Sequence, residues 1–114
     1  MLNQVILVGR LVKDPEIRET SDGKKVSNIT LAVARSYKNA TTGEYDTDFL
    51  ACTLWEGIAE STFEYCKKGS TVGIKARLAM KKFHYGDEKY FTYPEIIAEK
   101  VTFINTNNSS ASSD

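Results

Sequence analysis

The hydrophobic period of this chain changes twice, and the order of those changes constrains the fold more than any single residue. Strand-like patterns fill three stretches before residue 57, a helical period runs from Gly57 to Gly69, and alternation returns from Ser70 onward. A period of two sends neighbouring side chains to opposite faces of a strand, whereas 3.6 gathers them on one stripe of a helix. The chain therefore reads as three strands, one helix and two strands.

Each stretch has its own detail. Residues 3–13 hold an unbroken apolar run, Val5–Val8, the pattern of a strand covered on both faces by core or by a subunit interface. Gly9 within it suits a bulge or a sharp bend where a sheet curls round. In 26–36, Ile29, Leu31 and Val33 face one way, and Asn28, Thr30, Ala32 and Ala34 the other. A polar connection with Gly43 in a turn leads to residues 48–57. There Leu50, Cys52 and Leu54 form an inner face, leaving Phe49, Ala51, Thr53 and Trp55 opposite.

In the helical stretch Ile58, Ala59, Phe63 and Cys66 form the apolar stripe. Lys67 and Lys68 are expected in its last turn and Gly69 just beyond its end. From 70 to 83, Val72, Ile74, Ala76, Leu78 and Met80 are expected inside, with Thr71, Gly73, Lys75, Arg77, Ala79 and Lys81 outside. A loop carrying His84 leads to a last strand at 90–103, where Pro94 requires an edge or a bulge because it has no N–H to donate. Residues 105–114 are low in complexity and are expected to be a disordered tail. Five strands with one helix between the third and fourth is the order of the OB-fold, a five-stranded Greek-key barrel, here over residues 1–104.

The 114 residues are enough for one core but not two. No run of 18 apolar residues occurs, and the first ten residues lack the pattern of a signal peptide, so a cytoplasmic protein is expected. Cys52 and Cys66 form no CxxC pair and read as two buried thiols. His84 is the only histidine, so no metal site and no cofactor are expected. Neither a nucleophile elbow nor a phosphate-cradling glycine loop is present, which points to binding rather than enzymatic activity.

With 15 basic and 15 acidic residues the net charge is zero, so any polyanion site must be local. Between Lys67 and Lys82 there are six cations and no acid. Aromatic residues interleave with basic ones: Phe49 and Trp55 on an outward strand face, Tyr37 beside Arg35 and Lys38, and Phe83 beside Lys81 and Lys82. Flat rings stack on nucleobases while cations track phosphates, and duplexes hide the base faces, so the pattern suits single strands. Each residue also has a structural reading. Phe49 could be core, Trp55 could pack on a partner subunit, Tyr37 could anchor a loop, and Lys75 and Arg77 could form a solvated face.

The stretches "VILVGRLVKDPEIR" (5–18), "NITLAVARSY" (28–37), "DFLACTLWEGIAE" (48–60) and "KKGSTVGIKARLAMKKF" (67–83) closely resemble bacterial and phage single-stranded DNA-binding proteins. The resemblance covers about residues 1–104. It implies a homotetramer that coats single-stranded DNA without sequence preference in replication, recombination and repair. It places base stacking on Tyr37, Phe49, Trp55 and Phe83, and Arg10, Arg35, Lys38, Lys75, Arg77, Lys81 and Lys82 become candidates for phosphate contact. Gly73 stands where some relatives carry an aromatic residue. Family tails usually end in an acidic, hydrophobic tip that recruits replication and repair proteins, whereas "SSASSD" carries only Asp114, so recruitment by that route is not expected.

Overall fold

The computed structural model describes residues 1–106. In chain order the elements are β1 (Val5–Leu11), β2 (Arg18–Glu19), β3 (Lys25–Lys38), β4 (Tyr45–Trp55), α1 (Glu56–Tyr65), β5 (Thr71–Gly86) and β6 (Lys89–Asn105). Five long strands close on themselves in the order β1, β5, β6, β4, β3 and back to β1, which is the OB barrel read from the sequence. The two-residue β2 adds a sixth strand against the start of β3. Most pairs are antiparallel; the seam between β4 and β6 is parallel and only two residue pairs long, Cys52 with Ile96 and Thr53 with Ile97.

Gly9 is the closing bend. β1 pairs with β5 from Val5 to Arg10 and crosses to β3 at Arg10 and Leu11. A β-carbon on Gly9 would lie 2.6 Å from the Ala32 carbonyl oxygen and 2.9 Å from Val33 Cγ2. Only a residue with no side chain lets the two backbones approach so closely.

The core is drawn from the inner face of each strand: Leu11, Ile29, Leu31, Cys52, Leu54, Val72, Ile74, Ala76 and Ala98, capped by Ala59 of α1 and by Cys66. Both cysteines are free and buried, as read from the sequence. Desolvation pushes the Cys52 thiol up to about 11 from its ordinary 9.0. It raises Cys66 as well, against the opposing effect of a hydrogen bond with Ser70.

Several local expectations change. The core of this chain covers only one face of β1, and on the other Ile6 is 70% and Val8 54% exposed. On β5 the buried alternation stops at Ala76, leaving Leu78 and Met80 exposed. The reason is reach: β5 and β6 run on past the barrel as a two-stranded arm that turns at Asp87–Glu88, and residues 81–94 of it are exposed. His84 and Tyr85 are therefore strand residues of the arm, not loop residues. The Asn3 side chain marks the departure point, donating to the Leu78 carbonyl at 2.8 Å and accepting from Leu78 N–H at 2.9 Å. Pro94 sits in this arm opposite Met80 with no break in register, where β6 has β5 on one side only.

The helix stops at Tyr65, so Lys67 and Lys68 lie beyond its last turn, and Phe63 is exposed. A tight turn follows, in which Ser70 N–H donates to the Lys67 carbonyl at 2.9 Å and Gly69 adopts φ +92°. Among the described residues no helix is long and apolar enough to cross a membrane. Asn105 belongs to β6 rather than to a tail, and Ser70 Oγ donates to the Thr106 carbonyl at 2.8 Å. The rest of the expected tail, including Asp114, lies outside the described residues.

Candidate nucleic-acid interface

Register and alternation decide which candidates share a surface. On β4, Phe49, Ala51, Thr53 and Trp55 point away from the core, opposite Ala32, Thr30, Asn28 and Val26 of β3. Arg10 of β1 lies across from Ala32, which lies across from Phe49, so the three form one row over the barrel's outer face. Phe49 is 67% exposed and stands about 20 Å along the strand from Trp55. Trp55 is half-buried at the strand-to-helix junction, the N-cap position of α1. Its ring lines an open groove of about 500 Å³ between the start of α1 and β6, with Ile58, Val101 and Phe103 as apolar walls and Lys100 at the edge.

The outward set continues onto the arm. Thr53 Oγ1 donates to Glu95 Oε2 of β6 at 2.7 Å, and Glu95 Oε1 lies 3.7 Å from Lys81 Nζ on β5. Lys75, Arg77, Lys81 and Phe83 follow at alternate positions on β5. Phe83 is not isolated. Its ring centroid is 5.2 Å from that of Phe91, which is in turn 6.1 Å from those of Tyr85 and Tyr93. These are tilted contacts between exposed rings, a hydrophobic ladder with faces open to solvent.

Not every candidate joins this surface. Tyr37 and Lys38 are the last residues of β3, not a loop, because the connection to β4 is only residues 39–44 and is folded on itself by Asn39 Oδ1, which accepts from Thr41 and Thr42 N–H. A two-residue irregularity between Ala34 and Lys38 brings Lys38 opposite Tyr45, its Nζ 5.8 Å from the ring centre. Arg35 falls on the opposite face of the β3–β4 ribbon from Phe49 and is gripped by Asp48, with Nη2 to Oδ1 at 3.0 Å and Nε to Oδ2 at 3.1 Å. The pairing holds the Asp48 carboxyl below its ordinary value and raises Arg35 further above its own. Lys82 points to the other face of the arm from Lys81, over the Tyr90 ring at 4.7 Å.

Sequence reasoning passed over Tyr45, Tyr85, Tyr90, Phe91 and Tyr93, all exposed. The signal was present in "HYGDEKYFTY", where turn residues flanked on both sides by aromatics mark a hairpin rather than a loop. Among the described residues no three or more His, Cys, Asp or Glu side chains gather as metal ligands would.

The model of the single-strand binding protein family matches residues 2–104. The chain belongs to that family. It is 46% identical over 104 residues to the single-stranded DNA-binding protein B of Bacillus subtilis, covering 91% of each chain. Over 111 residues it is 41% identical to single-stranded DNA-binding protein 3 of Listeria innocua, covering 97% of this chain and 69% of the relative. Along its whole length it is 40% identical to the single-stranded DNA-binding protein of Oceanobacillus iheyensis, of which it covers 70%. Family membership and the barrel agree, and both fit the outer aromatic surface.

Proposed function

We propose that this protein binds single-stranded DNA without sequence preference, coating and protecting exposed strands in replication, recombination and repair, and that it carries out no chemistry of its own. The observation that carries this reading is the exposure of Phe49 on the outward face of the barrel and of Phe83 on the arm that extends it, in a chain of the single-strand binding family. Base stacking falls to Tyr37, Phe49, Trp55 and Phe83, joined by the arm rings Tyr85, Phe91 and Tyr93. Arg10, Lys75, Arg77 and Lys81 meet phosphates along the same surface, with Lys38 at the far end of β3 beside Tyr45, and with Arg35 and Lys82 serving strands that pass behind the β3–β4 ribbon and the arm. Stacking contributes about 1–3 kcal/mol per base and accepts any sequence, because every base has a π-face.

The same reading includes a homotetramer in the cytoplasm. Its support is β1, whose residues Val5–Gly9 pair with β5 on one side only and present exposed Ile6 and Val8. An apolar strand with an open edge is a template for another chain.

Trp55 is the only tryptophan, which makes it a single reporter. Titration with oligothymidine is expected to quench its fluorescence saturably, less so at high salt, while a duplex of the same length leaves it unchanged. No response to either DNA in a folded sample would turn the aromatic face into a protein-binding surface.

A further inference from the structure

Two cations on the proposed path for the strand each face a carboxylate across a loose ion pair. Lys81 Nζ lies 3.7 Å from Glu95 Oε1, and Arg77 Nε lies 3.9 Å from Glu99 Oε2. Glu95 is held in place. Its side chain is 16% exposed, and its second oxygen accepts the Thr53 hydroxyl at 2.7 Å. Both acids belong to β6, which lies between β4, with Phe49 and Trp55, and β5, with Arg77, Lys81 and Phe83. A strand that stacks on the rings of β4 and reaches the cations of β5 crosses β6, where Glu95 and Glu99 stand on the same side as Ile97, with Lys100 following. Among the described residues Arg10, Lys38 and Lys75 form no ion pair.

We infer that Glu95 and Glu99 are built-in competitors for phosphate that set how firmly, and with what salt dependence, this face holds a single strand. The inference rests on reading the surface as a single-strand interface. A cation beside a carboxylate neutralises a phosphate only as it gives that carboxylate up, so it adds less to counterion release than a free cation does. Exposed ion pairs are weak, so phosphate and carboxylate can exchange, and the strand can leave one cation for the next. The grip is then shared between rings, which are insensitive to salt, and the unpaired cations.

The test is oligothymidine affinity over a salt series for the wild-type chain, for Glu95→Gln/Glu99→Gln, and for Glu19→Gln/Glu64→Gln as an equal charge change at exposed sites on the side of β2 and α1 away from Asn28. The amide oxygen that Glu95→Gln introduces can still accept from the Thr53 hydroxyl, so the fold is retained. Each freed cation is expected to steepen the slope of log affinity against log salt by up to about 0.7. For the Glu95/Glu99 pair that is up to about 1.4, or a loss of affinity up to about sevenfold larger per fourfold rise in salt, and tighter binding at low salt. The control pair should keep the wild-type slope. A folded Glu95/Glu99 variant with the wild-type slope would overturn the inference while leaving the interface standing. Wild-type protein that does not bind oligothymidine would overturn both.

Discussion

Cys52 shows how much one buried atom can report about the whole barrel. Its thiol is on the inner face of β4, and burial holds it protonated up to about pH 11, whereas in the unfolded chain it ionises near 9.0. The direction of the pH effect follows from linkage. Below pH 9 both states keep the proton and the thiol costs nothing. Between 9 and 11 only the unfolded state releases it, so the contribution to stability is lost as pH rises through that window. The urea midpoint is expected to fall more between pH 8 and 10.5 for the wild-type chain than for Cys52→Ala, whose other titrating groups are the same. Equal falls would mean that Cys52 is solvated in the native state. The same burial keeps the thiol unreactive, because the thiolate is the nucleophile.

The elements differ in how plainly the sequence announces them. The inner rows Ile29–Leu31 and Val72–Ile74–Ala76 were legible because strict alternation has only one good burial solution. The end of the helix was not, since Lys67–Lys68–Gly69 resembles a helix terminus while the chain has already turned at Cys66. Leu78 and Met80 misled for another reason. Alternation shows that two residues share a face, but not whether anything covers it, and the arm has left the barrel by that point. For the site, Phe49 and Trp55 are legible as rings where polar residues belong, while the aromatic ladder of the arm is hidden because "HYGDEK" has the composition of a loop although only Asp87–Glu88 turns. Gly9 was read as a bend, and its role can be tested at this scale. Gly9→Ala would drive a methyl group into the Ala32 backbone, which cannot swing aside as a side chain could. Overpacking of this kind costs about 1–3 kcal/mol. Chemical denaturation should register that loss, and an unchanged midpoint would mean that β1 and β3 can separate without penalty.

At the scale of the whole molecule the unsolved surface is β1. Its inner residues Val5 and Leu7 pack on the core, while Ile6 and Val8 face solvent along an edge that β3 reaches only at Arg10 and Leu11. Gly73, across from Val8, contributes no side chain to cover that row, so the apolar strip is flat as well as open. Monomers blunt such edges with charge, proline or a covering element; positions 5–9 hold no charge and no proline, and among the described residues no strand pairs with that edge. Burial against another copy resolves the conflict, and it also extends the outer face from one barrel to the next, giving a single strand a longer track. Ile6→Lys/Val8→Lys places like charges on the strip and leaves the inner face untouched. The variant is expected to sediment as a smaller species than the wild type, with the same circular dichroism spectrum and a smaller gain in affinity from short to long oligothymidine than the wild type shows. A variant that keeps the wild-type sedimentation coefficient would move the assembly contact elsewhere, and the exposed arm face that continues the barrel's inner row, with Leu78 and Met80, would be the next strip to charge.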